Sequence, residues 1–125
     1  MKFARYTFLI AAIYGLIVLL PQYFLENRIG IEQPPAITHP EFFYGFISVA
    51  VAFQLVFLII ASDPLKYRVL MLVALVEKFP FTIATAILYS QGRIGWQMLA
   101  AGSIDGLLGT LFLISYLLTR RSRMS

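Results

Sequence analysis

The stretch LMLVALVEKFPFTIATAILY, Leu70 to Tyr89, decides the fold. It is long enough to cross a bilayer core of about 30 Å at about 1.5 Å per residue. Yet Glu77, Lys78 and Pro80 sit near its middle. An ionisable residue at a helix centre costs roughly 2.5–3.5 kcal/mol, and each Leu, Ile, Val or Phe returns about 0.3–0.6. Eleven such apolar residues lie between Val69 and Leu88. They supply on the order of 3–7 kcal/mol, against about 5–7 for the two charges. A helix this marginal in lipid must turn its charges onto neighbouring helices.

Neighbours are available. Three more apolar runs, Phe3 to Leu25, Glu41 to Ala61 and Gly95 to Leu118, flank the third, Tyr67 to Tyr89. The chain is 60% hydrophobic and only 13% charged over 125 residues. A soluble domain of this size has no core large enough for that much apolar surface. The reading is therefore all-α, a four-helix transmembrane bundle in one integral membrane domain, with helices near 3–25, 41–61, 64–89 and 95–118. The first run is read as a retained helix, because LLPQYFLENR offers no small-x-small cleavage site after it.

The same counts exclude several functions. Without cysteine there is no disulfide, thiolate metal site or thiol nucleophile. A single histidine, His39, leaves no multi-histidine metal or haem site within one chain. No metal and no cofactor is expected. The net charge of +4 comes from basic residues at the ends of apolar runs, which indicates membrane topology and not nucleic acid.

The connections carry their own signals. SDPLK predicts a tight turn with Asp63 as N-cap and Pro64 opening the third helix. SQGRIG predicts Gly92 as its C-terminal stop. The longer ENRIGIEQPPAITHP is stiffened by three prolines and ends with Thr38 at capping-box distance from Glu41. Lys2, Arg5, Lys66, Arg68, Arg120, Arg121 and Arg123 fall on one side, and Arg28 and Arg93 on the other. The positive-inside rule then predicts both termini cytoplasmic. Trp96, Tyr89, Tyr44 and Tyr23 read as interfacial anchors.

Depth counting predicts which side chains meet. Lys78 lies eleven residues from Tyr67, Asp105 thirteen from Leu118 and Tyr14 eleven from Phe3. In upright helices these fall within about 3 Å in depth, with Gln54 about 6 Å lower. The expected polar layer is a Lys78–Asp105 pair beside Glu77, with Tyr14 and Gln54 as hydrogen-bonding partners. Met71, Phe79 and Phe81 are the expected apolar walls. Pro80 removes the donor for the Val76 carbonyl, and reads either as a helix kink or hinge beside the layer or as a bend in a packed helix. Gly102, Gly106 and Gly109 form a small-residue face for helix packing within the chain, with a homodimer seam as the alternative. Gly45, Ser48 and Ala52 form a related stripe. His39 and Glu41 read as a surface turn.

No phosphate loop, HExxH or nucleophile elbow is present, so a non-enzymatic role is expected. HPEFFYGF, SDPLKYR, VEKFPF and DGLLGTLF, from His39 to Phe112, resemble the small bacterial four-helix membrane proteins of the DoxX-like kind. That resemblance implies the fold and a bacterial inner (cytoplasmic) membrane, and no particular activity. The expected partners are the lipid bilayer and a small apolar ligand held or moved at the polar layer. The alternative is a non-catalytic accessory subunit, docked on a membrane-protein partner or a second copy. A weaker alternative is an intramembrane isomerase using Glu77 or Asp105 as acid and base.

Overall fold

A computed structural model of the chain describes residues 2–124, with side chains as far as Arg120. The expected contribution of Arg121 and Arg123 to topology therefore lies outside the described side chains. The fold is an all-α four-helix bundle. Its elements are α1 (Lys2–Leu19), a 3-10 segment (Leu20–Phe24), α2 (Glu26–Glu32), α3 (Pro40–Ser62), α4 (Arg68–Ser90) and α5 (Trp96–Met124). The four long helices have the length and composition to cross a membrane. Their outer faces agree: Ile17, Val69 and Val76 are each 68–69% exposed, as side chains that meet lipid are. The chain is built as a multi-pass membrane protein.

The helix ends differ from expectation where proline and local caps decide. The first span does not run as one α-helix to Leu25. Pro21 cannot donate to the i−4 carbonyl and its ring crowds that turn, so the chain tightens into the 3-10 segment. The following connection is not irregular throughout. It folds into α2, braced by an Arg28–Glu32 pair at 2.9 Å across one helical turn.

Thr38 does not cap α3. Pro40 takes the first helical position, and the His39 carbonyl accepts the amides of Phe42 and Phe43 at 3.0 and 3.2 Å. The third span starts at Arg68, not at residue 64. Asp63 does cap, but what it caps is a separate turn. Its carboxylate accepts the Lys66 amide at 3.3 Å, and its carbonyl accepts that of Tyr67 at 3.1 Å. At the other end Gly92 has φ of +71°, with Gly92 N bonded to Tyr89 O and Arg93 N to Leu88 O. That pair of bonds is a Schellman cap, which needs the left-handed residue that glycine supplies.

The helices run alternately up and down. α1 packs closely on α3 and α4 on α5, while α1–α5 and α3–α4 contacts close the ring less tightly. The half near the chain termini is solid. Phe8 stacks on Phe112 at 4.1 Å, and Phe57 meets both edge-on at 5.0 and 5.9 Å. Met71, Ala74 and Ile60 fill the space around them with no exposure. Two arginines clamp this end. Arg5 donates to the Ala61 carbonyl at the end of α3 at 3.2 Å. Arg68 lies 3.7 Å over the Tyr116 ring and bonds Thr119 and the Tyr116 carbonyl.

Glycine sets the α4–α5 spacing. A Cβ on Gly106 would stand 2.9 Å from Thr82 Cγ2, and one on Gly109 3.1 Å from the Phe79 ring. Gly102 sits directly against the Thr85 side chain. At this distance Thr82 donates across to the Gly102 carbonyl at 2.9 Å. Gly106→Ala should therefore destabilise the bundle by about 1–3 kcal/mol through overpacking. Adding Thr82→Ser removes the clashing methyl and keeps the hydroxyl, so the double variant should recover most of the loss. Unfolding in mixed micelles, read as a double-mutant cycle, checks this.

Candidate functional site

The site begins with the register of α4 on α5. Lys78 faces α5 with its Cβ against Gly109, which brings its ammonium beside the carboxylate one residue before Gly106. Lys78 Nζ donates to Asp105 Oδ1 at 3.2 Å. Glu77 is turned about 100° around the helix from Lys78, yet its Oε2 reaches within 3.4 Å of the same Nζ. The lysine side chain is 6% exposed, and those of Glu77 and Asp105 17% and 20%. One ammonium thus serves two carboxylates. Beneath it lies the Phe57 ring, whose centroid is 5.4 Å away. The charged layer is set on the aromatic cluster that closes the terminal half.

The other two long helices bring neutral polar groups to this layer. Gln54 of α3 is 2% exposed and packs over Gly15 of α1. Its Nε2 donates to the Ala50 carbonyl at 2.8 Å, and its Oε1 has no hydrogen-bond partner. Glu77 Oε2 also lacks one despite its nearness to Lys78. Buried polar atoms without partners are uncommon in folded chains. Tyr14 of α1 faces the same layer but makes no hydrogen bond to the ion pair.

Above the layer the bundle opens into a cavity of about 510 Å³. Tyr14, Gln54, Glu77, Lys78 and Asp105 all line it. The five polar residues expected from depth counting therefore share one cavity, although the hydrogen bonds expected from Tyr14 and Gln54 to the pair are not formed. The walls are Val18 and Leu19 of α1, Phe43 and Phe46 of α3, Phe81 of α4 and Met98 of α5. Ile29 of α2, with Gln33 and Ile37 beyond it, closes part of the top.

Several expected residues lie elsewhere. Of the expected walls only Phe81 lines the cavity. Met71 is fully buried in the terminal-half core, and Phe79 packs on Gly109. Pro80 is exposed on the far side of α4, about 200° from Lys78, with Val76 on the same face. The helix assignment runs through it unbroken, and it borders lipid rather than the polar layer. Gly102, Gly106 and Gly109 are used between α4 and α5, whereas Gly45 has no atom within 4 Å of where a Cβ would stand. His39 and Glu41 bond each other at 3.1 Å on the surface, outside the cavity.

Sequence reasoning missed Gln22, Gln33 and Gln97 at the open end of the cavity. It also missed Phe43, Phe46 and Ala50, which with the expected Gln54 form one wall. That wall was readable as one helical stripe, at spacings of three and four residues. The glutamines had no such signal, because Gln22 and Gln33 reach the cavity only through the 3-10 segment and α2. No family model, curated protein or solved structure matches the chain.

The buried ion pair gives a sharp expectation. Lys78→Met leaves two partly buried carboxylates with no cation and should cost up to about 3–5 kcal/mol. Adding Asp105→Leu should recover part of that loss, because it removes one stranded charge and fills the space with apolar atoms. Equilibrium unfolding of the single and double variants measures both.

Proposed function

We propose that the protein binds or moves a small amphiphilic molecule in this intramembrane cavity. The apolar body would lie among Val18, Phe43, Phe46 and Phe81, and the polar end would meet Glu77, Asp105 and Gln54. One observation carries the reading: all four long helices bring polar side chains to the floor of a single apolar-walled cavity. Its volume of about 510 Å³ falls within the roughly 300–1,000 Å³ of ligand pockets. Intramembrane ionisable residues facing a cavity mark functional sites by default.

The accessory-subunit reading keeps one supporting feature. Gly45, Ser48 and Ala52 remain exposed on α3, where a further helix has access. Native mass spectrometry of gently extracted protein separates the two. A retained small molecule on a single chain is the expected result, and a stoichiometric partner chain supports the alternative. An empty, partnerless chain that takes up no added amphiphile overturns both. Glu77→Gln should lower retention of the small molecule with little change in stability. Unchanged retention with a lower unfolding midpoint removes Glu77 from the site.

We further infer that both termini face the cytoplasm, across a bacterial inner membrane as the DoxX-like resemblance implies. Lys2, Arg5, Lys66, Arg68 and Arg120 lie at the terminal end of the bundle, against Arg28 and Arg93 at the other. The chain has no cysteine, so single replacements report cleanly. Ser62→Cys should be labelled by a membrane-impermeant maleimide only after the cytoplasmic face is opened, and Gln91→Cys in intact cells. The reverse pattern overturns the orientation.

A further inference from the structure

We infer that the ligand is a lipophilic ammonium ion, an apolar body carrying one protonated primary amine that seats between Glu77 and Asp105. This rests on the reading of the cavity as an amphiphile site, and it names the head group. Three observations support it.

The first is charge. The floor holds two carboxylates and one ammonium, and no other cationic side chain lines the cavity. The carboxylates outnumber the ammonium by one, so the floor offers one acidic group more than its own lysine can neutralise. Lys78 is already engaged, 3.2 Å from Asp105 and 3.4 Å from Glu77, with the Phe57 ring beneath it. A second cation entering from the cavity completes a two-by-two arrangement of charges.

The second is hydrogen bonding. Among the described residues, Gln54 Oε1, packed against Gly15, and Glu77 Oε2, 3.4 Å from Lys78 Nζ, are buried side-chain oxygens without a hydrogen bond, and both residues line the cavity. Gln54 is held in this sense because its amide nitrogen donates to Ala50 O. These atoms call for donors. A primary ammonium has three donors and no acceptor, whereas a ligand carboxylate has acceptors only. A carboxylate head would face two like charges and find the one lysine occupied.

The third is the wall. Phe43, Phe46 and Phe81 line the space above the floor, and Phe57 lies under it. These rings give the apolar body of the amine its contact surface, while the Phe57 ring already carries the Lys78 ammonium. A neutral alcohol supplies one donor but leaves the excess carboxylate without a cation.

The test uses the full chain in phosphatidylcholine nanodiscs, with protein-free discs subtracted for partitioning. Equilibrium binding of decylamine, decanol and decanoate is compared near neutral pH. Decylamine should bind at least about tenfold more tightly than decanol, the factor a charge-assisted hydrogen bond supplies, and decanoate should bind weakest. Glu77→Gln and, separately, Asp105→Asn should each reduce the decylamine-to-decanol ratio. The ratio is read within one preparation, so partial loss of folded protein lowers both probes alike. Decanol equal to decylamine, decanoate binding best, or a ratio untouched by both variants overturns the ammonium assignment and leaves the amphiphile reading standing. Binding of none of the three overturns that reading as well.

Discussion

The bundle depends on where the Lys78 ammonium goes. A lysine at mid-membrane is tolerated only when it is paired or reaches water, and Asp105, 3.2 Å away, supplies the pair. This pairing requires α5 to approach α4 closely, and Gly102, Gly106 and Gly109 permit it by meeting Thr85, Thr82 and Phe79 without a Cβ of their own. The close approach then lets Thr82 bond the Gly102 carbonyl, a contact made backbone to side chain between helices. The ion pair fixes rotation, the glycines fix distance, and the threonine fixes depth. α4 turns its charges inward because all three agree.

That constraint also divides the molecule into unlike halves. Below Lys78, three phenylalanines and their neighbours leave no space, and the short Asp63–Tyr67 turn ties α3 to α4. Arg5 and Arg68 hold the same end by bonding carbonyls late in α3 and α5. Above Lys78 the inner faces of the helices, Gly15, Ala50 and Ala101 among them, border open space. There the links to α1 and α3 run through the 3-10 segment and α2 instead of a tight turn. A packed floor and a loosely tied top give a cavity with one polar end.

Most of this architecture was legible in the sequence, and the exceptions have physical causes. Four helices follow from hydropathy because lipid leaves the backbone no alternative but internal hydrogen bonding. The polar layer follows from rise per residue, counted from the terminal end of each apolar run. Gly92 as a stop follows from the left-handed conformation it adopts. What failed was direction around a helix and structure between helices. Pro80 is adjacent in sequence to the charged pair, but two residues beyond Lys78 is the opposite face. Phe79 and Met71 looked like cavity walls on composition, and the facing glycines and the aromatic cluster claimed them instead. α2 was hidden because ENRIGIE is too short and too polar to show a helical period against its proline-rich flank.

The same layer contains residues of two kinds. Lys78 and Asp105 are sufficient to set the register of α4 on α5, and a pair with that role alone needs no cavity beside it. Glu77 adds a second mid-membrane acid, at a cost of about 2.5–3.5 kcal/mol, and its Oε2 accepts no hydrogen bond. Gln54 is buried with an unpartnered oxygen on α3, a helix that could fill that position with an apolar side chain at lower cost. Neither residue adds to the register, and both face the open half. Each leaves an oxygen without a hydrogen bond at a depth where an unmade bond is costly. Glu77 and Gln54, rather than the Lys78–Asp105 pair, are therefore the residues at which the binding and scaffold readings lead to different expectations.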